Sequence, residues 1–218
     1  MALDLRGGLC YPTLDDALRQ GIGKTMNQQQ YIDSFSAKNG LEIYLRHIRQ
    51  DDAPLFIKIF EHMGSESRYS RFMQSLDNPN PEMIREEAER IAQADPEKND
   101  GLIAFATLPD EGNVPIGAAR YVYLTSGQAE VAISIRDDMQ NLGIGTVLLQ
   151  RVTEHARIAG IQKLVATIHN DNKVIWKVLK KLPYQLRRTP EGIYSEIEID
   201  LTKPGRYEPD IRTTTLSP

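Results

Sequence analysis

The sequence predicts an α/β (α+β) chain built on one mixed β-sheet with helices on its faces. Three observations carry that prediction. Strand-period and helix-period segments alternate from Leu41 to Leu201 in the order β-α-α-α-β-β-β-α-β-α-β-β. In the middle, a strand at Glu130–Ile135 feeds through a glycine-bearing turn into an amphipathic helix. No internal repeat or break in composition divides the 218 residues, so one domain with embellishments is expected.

Residues 1–40 are read as an N-terminal arm or extension, with a short helix over Tyr11–Leu18 and a polar stretch from Met26 to Tyr31 open to an oligomer contact. Gly21-Ile-Gly-Lys24-Thr25 imitates the end of a Walker A loop. The glycine required five positions before Gly23 is Leu18, and no strand precedes it. Leu41–Arg46 alternates as the first strand. Asp51 and Asp52 then cap a helix running from Pro54 through Met63. A short segment at Ser65–Met73 follows. A charged helix comes next over Glu82–Ala94, with Met83, Ile84, Ala88 and Ile91 inward. Gly101–Leu108 and Val114–Leu124 form a hairpin about the Pro109–Asn113 turn.

After the central strand, Val147, Leu148, Val152, Ala156 and Ala159 mark one buried helix face, which stops at Gly160 in the left-handed C′ place. Lys163–His169 is a strand. Asn172 opens a helix with Val174, Ile175, Val178, Leu179 and Leu182 on one face. Tyr184–Arg187 and Ile193–Ile199 close the sheet, and residues 204–218 form a flexible tail.

Bulk properties remove several function classes. A net charge of −4, with no basic stripe interleaved with aromatics, gives no support for nucleic-acid binding. Cys10 is the only cysteine, which excludes an intramolecular disulfide and any multi-cysteine metal site. His47, His62 and His155 have no metal-binding spacing, so no metal is expected. No apolar run reaches the ~20 residues that span a bilayer. The N-terminus has no basic segment followed by an apolar one, so a cytoplasmic protein is expected, without a membrane partner.

The chemistry centres on residues 129–146. A strand, a glycine turn and a helix N-terminus present unpaired backbone N–H groups, an anion site suited to phosphate. Leu148 occupies the place where both the G-x-G-x-x-G dinucleotide fingerprint and a Walker A loop starting at Gly143 require glycine. The bland reading is a helix start that needs glycines only for its turn. Glu130, at the edge of an apolar run, is either a surface residue at a strand start or a carboxylate placed to take a proton.

Gln140-x-x-Gly143-x-Gly145 resembles the pyrophosphate-binding motif of the GNAT N-acetyltransferases, and the element order from Leu41 to Leu201 is similar to theirs. Asn172, followed twelve residues on by the aromatic Tyr184, adds a second likeness, with Pro183-Tyr184 replacing the customary Gly-Phe. More narrowly, Ser65-Glu-Ser-Arg-Tyr69-Ser-Arg71-Phe72 together with Ala129-Glu130-Val131-Ala132 resembles the Pat-type protein lysine acetyltransferases, which silence acyl-CoA synthetases.

The resemblance implies a GNAT domain over residues 41–203, with acetyl-CoA as co-substrate in a cleft beside the central strand. It implies Glu130 as general base. Ile133, Ser134 and Ile135 would receive the pantetheine arm, and Gln140, Asn141, Leu142, Gly143, Ile144, Gly145 and Thr146 the pyrophosphate. Asn172 would add a CoA contact to its capping role, and Tyr69 and Arg71 would line the acceptor side. Leu179 stands where many relatives place a tyrosine acid, and the Pat-type subgroup lacks that tyrosine too. Cys10 lies outside the matched region, so direct attack on the thioester is favoured over a cysteine-linked intermediate.

The leading function is transfer of acetyl to a primary amine, a protein lysine on a partner such as an acyl-CoA synthetase. Two others stay open: a small-molecule amine acetyltransferase (polyamine, amino acid or antibiotic), and a silent acyl-CoA-binding regulatory module. The chain is expected to be a monomer or homodimer. His169 is read as structural ahead of a proton relay, and Trp176 as a partner contact or simply half-exposed.

Overall fold

The computed structural model describes residues 31–73, 79–93 and 99–205. The Tyr11–Leu18 helix, the Walker-like Gly21–Thr25 run, Cys10 and the Thr-rich tail lie outside them. Fourteen residues of β4 (Gly112–Thr125) form the longest strand of an eight-stranded sheet. Its other members are β1 (Asp33–Ser36), β2 (Glu42–His47), β3 (Asn99–Leu108), β5 (Gln128–Ile135), β6 (Lys163–His169), β7 (Tyr184–Glu191) and β8 (Tyr194–Pro204). The spatial order is β1-β2-β3-β4-β5-β6-β8-β7, antiparallel throughout except between β5 and β6.

The sheet begins one strand earlier than the sequence reading has it. β1 pairs with β2 from Asp33↔Leu45 to Ser36↔Glu42, inside the stretch read as an arm. Its residues alternate between half-buried and exposed, and four residues give too short a period to separate from a linker.

The helices are α1 (Ala53–Glu61), α2 (Ser65–Phe72), α3 (Pro81–Ala92), α4 (Ile144–Ile158) and α5 (Lys173–Leu179). Alternation in the strands sorts them onto two faces. On one face α4 buries Leu148, Leu149, Val152 and Ala156 against Leu102, Ala119, Val131 and Leu164, with Leu179 of α5 in the same core. On the other, Ile59 of α1 and Met63 meet Ile103, Phe105 and Ala118, and α3 packs on α1. Pro115, which cannot donate to a ladder, lies beside the β3–β4 register shift at Ala104/Phe105.

Some local expectations change, among them Ala159, read as part of the buried helix face and found exposed. Asp52 stands at the N-cap of α1, yet its side chain makes no capping bond. It instead holds buried Arg46 through two oxygens, at 2.6 and 2.7 Å, and accepts the Arg49 N–H. Met83 and Val174, expected inward, are 38% and 47% exposed; helix period alone does not fix where an apolar stripe ends. Gly160 takes the left-handed conformation expected of it, at φ +85°.

Candidate active site

β5 and β6 pair only over Gln128–Glu130 against Lys163–Val165. From there β5 stays with β4 as far as Ile135↔Gly117, while β6 stays with β8 as far as His169↔Tyr194. The sheet therefore forks, and Glu130 is the last β5 residue paired across the fork. Backbone groups on the inner edge of Val131–Ile135 are left for a ligand rather than a strand. A cleft of about 750 Å³ opens there, lined by Glu130–Ile135 on one arm and Ala166–Ile168 on the other.

Helix α2 lies across the gap. Arg71 Nε donates to Ser134 Oγ on the β5 arm at 3.1 Å. Tyr69, two residues earlier, reaches the other arm, where its hydroxyl is 2.9 Å from that of Tyr194. His169 stacks edge-on with both tyrosines, and its Nδ1 accepts the Asp171 N–H, a structural arrangement. Arg71 lines the cleft and Tyr69 does not. Tyr194 had no signal in the sequence beyond membership of a strand.

The anion turn is built by two brackets. Arg136, buried, grips Glu111 and Asp138 and holds the chain as it leaves β5. The 3₁₀ turn Asp137–Met139 follows, and Asp137 accepts the Gly64 N–H. The Gln140 amide donates to Asp137 and to Ser67 of α2. Asn141 and Gly143 both take positive φ, at +62° and +88°. Thr146 and Val147 donate to the Gly143 carbonyl, so the bonds of α4 start there and the N–H groups of 143–145 have no partner within the helix.

Gln140, Asn141, Gly143, Gly145 and Thr146 border the cleft, as do Ile133, Ser134, Ile135 and Asn172. Leu142 and Ile144 do not, because their side chains pack on the core. Asn172 caps α5 by accepting the Ile175 N–H at 3.1 Å. A cation reaches the turn from elsewhere in the chain: Lys38, in the β1–β2 loop, lies over Gly143, and its Nζ is 3.4 Å from the Asn141 carbonyl. No local pattern marks Lys38, which stands over a hundred positions from the turn it meets.

Glu130 is exposed rather than buried. Behind it lies a cluster of charge. Burial pushes the Arg71 guanidinium below its ordinary value, opposed by Glu87 and then Glu130. Arg120 is pushed down to about 10 by burial, and further by Arg71 and Arg90. Its Nε is buried without a hydrogen-bond partner. Leu179, at the position expected to lack a tyrosine, is buried at the cleft wall. Trp176 is half-buried beneath the Arg188 guanidinium, at 4.8 Å.

Comparison with known proteins gives a consistent result. The profile of the acetyltransferase (GNAT) domain matches residues 42–185. An acetyltransferase of Pseudomonas aeruginosa is 22% identical over 180 residues, covering 82% of this chain and 92% of that protein. Acetyltransferase Pat of Mycolicibacterium smegmatis is 27% identical over 177 residues. That match covers 80% of this chain and 51% of Pat, so the chain spans about half the length of that relative. Among solved structures, the GNAT domain of S. lividans Pat superposes with a TM-score of 0.65 at 25% identity, covering 77% of this chain and 96% of that one.

Proposed function

The chain belongs to the GNAT family and is an acetyl-CoA-dependent acetyltransferase, and from that premise we propose that it acetylates a lysine ε-amino group on a partner protein, with Glu130 as general base. The observation that carries the proposal is Glu130 at the fork of β5 and β6, on the cleft wall.

The residues fit the co-substrate. Gly143, at φ +88°, opens a helix whose first N–H groups and nearby Lys38 suit a pyrophosphate. The unpaired edge of Val131–Ile135 suits the amides of a pantetheine arm. Acetyl-CoA supplies the activated thioester carbonyl. Arg71 fixes the Ser134 side chain on that edge, and Asn172 borders the cleft while capping α5. Glu130 takes one proton from the ammonium through water, and the lone pair of the free amine then attacks the thioester carbonyl to form the C–N bond. As the C–S bond breaks, the second nitrogen proton passes by way of solvent to the departing thiolate, since Leu179 offers none.

The likeness to Pat-type enzymes and the α2 wall, with Glu66, Ser67 and Ser70 facing the cleft, support a protein acceptor over a small amine. An acyl-CoA synthetase is the acceptor that the resemblance implies.

The test uses labelled acetyl-CoA, a lysate of the host and mass spectrometry of acetyl-lysines, with Glu130→Gln as control. Labelled protein lysines are expected, with turnover of the variant lower by roughly 10²–10⁴ and CoA affinity nearly intact. Label confined to small amines would overturn the acceptor. Wild-type turnover in the variant would remove Glu130 as the base.

A further inference from the structure

At the other end of α4, three side chains from three elements converge. His47, at the end of β2, points Nδ1 at Asp100 Oδ1 across 2.8 Å. His155, in the last turn of α4, points Nδ1 at the second oxygen of the same carboxylate across 3.1 Å. The two imidazole rings flank that carboxylate with centroids 5.3 Å apart. The candidate donor atoms all lie within 4.8 Å of one another. The Gly101 N–H donates to Asp100 Oδ1 at 2.7 Å, which fixes the carboxylate as an outer hydrogen bond fixes a metal ligand. The side chains are 49%, 28% and 26% exposed for His47, Asp100 and His155, so solvent can deliver an ion and supply a further ligand.

We infer that His47, Asp100 and His155 form a binding site for a zinc-class divalent ion, separate from the acetyl-transfer cleft. A tetrahedral ion with arms of about 2.0–2.1 Å needs ligand edges of roughly 3.3 Å. The observed N···O distances of 2.8 and 3.1 Å run to the two different oxygens of Asp100 and fall about 0.2 to 0.5 Å short of that edge. All donor atoms lie within 4.8 Å of one another, and the rings are exposed enough to move onto a shared ion. Two imidazole nitrogens with one carboxylate suit Zn²⁺ or Co²⁺; Mg²⁺ and Ca²⁺ prefer oxygen alone. Two imidazoles from separate elements that both turn Nδ1 toward one carboxylate are placed to close on an ion held between them. His155 stands ten residues beyond Gly145, about 15 Å along the helix, so the ion takes no part in the chemistry. It ties the C-terminal end of α4 to β2 and β3. The sequence hides the site because its members are separated by 53 and 55 positions.

The test is a titration of the chelator-treated full chain with Co²⁺, then Zn²⁺. The wild type should take up one equivalent of Co²⁺ with the visible d–d bands of a four-coordinate N/O site, and Zn²⁺ should displace it. His155→Ala should lose the bands. Asp100→Asn keeps the side-chain volume and guards against a folding artefact; it too should lose them, with CoA binding retained in both variants. Zn²⁺ should raise the melting temperature of the wild type and of neither variant. Absence of the bands in the wild type, or their persistence in both variants, would overturn the site and leave a hydrogen-bonded brace.

Discussion

Two glycines of one motif have different reasons to be glycine. Gly143 takes φ +88°, a conformation that costs an L-residue about 1–2 kcal/mol. A Cβ there would meet only the flexible Lys38 chain, at 3.6 Å, so the cost is conformational rather than steric. Gly145 has an ordinary φ, and its Cβ would find Ile133 and Ile135 at an ordinary 3.7 Å. Gly145→Ala should therefore leave stability within experimental error. Gly143→Ala should lose about 1–2 kcal/mol and weaken CoA binding by displacing the N–H groups. Urea denaturation with calorimetric CoA titration checks both. Equal behaviour of the two variants would show that the turn does not depend on the left-handed residue.

At the scale of the element, α1 is fixed less by its cap than by a buried ion pair. Asp52 and Arg46 expose 4% and 10% of their side chains, and the guanidinium stacks 5.0 Å over Phe105. Asp52→Ala would strand that cation under α1, a change that costs about 3–5 kcal/mol. A loss below ~1 kcal/mol in chemical denaturation, the size of an N-cap alone, would refute this account. The aspartate was legible as a helix start because caps are local. Its pairing with a strand residue six positions earlier was not, since nothing in Asp-Asp announces which neighbour the fold will bury. The same division runs through the elements. β5, α4 and their joining turn were readable because period, glycine and helix start all agree within thirty residues. β1 was lost because its four residues gain their meaning only from β2.

For the molecule as a whole, the long-range meetings are what the sequence concealed: Lys38 over Gly143, Tyr69 against Tyr194, and the fork that places Glu130. Each is set by strand order, which local patterns do not encode. One such meeting governs behaviour in acid. Arg136 draws Glu111 from the β3–β4 turn and Asp138 from the turn after β5. Hydrogen bonding to this guanidinium is the main cause that holds both carboxyls below their ordinary values of 4.5 and 3.8. A carboxylate whose folded value is depressed adds stability above its unfolded value and loses it as pH falls through the folded one. Stability should thus be level above about pH 5 and decline as pH drops below about 4. Both carboxylates are more than a third exposed, so the effect is modest and salt-sensitive. Arg136→Met should lower stability at neutral pH and flatten the acid limb, because Glu111 and Asp138 would titrate alike in the folded and unfolded chain. Urea midpoints measured across pH 3 to 7 for both proteins decide it, on the order of one unit per step. An acid limb of unchanged slope in the variant would place the acid sensitivity elsewhere in the sheet.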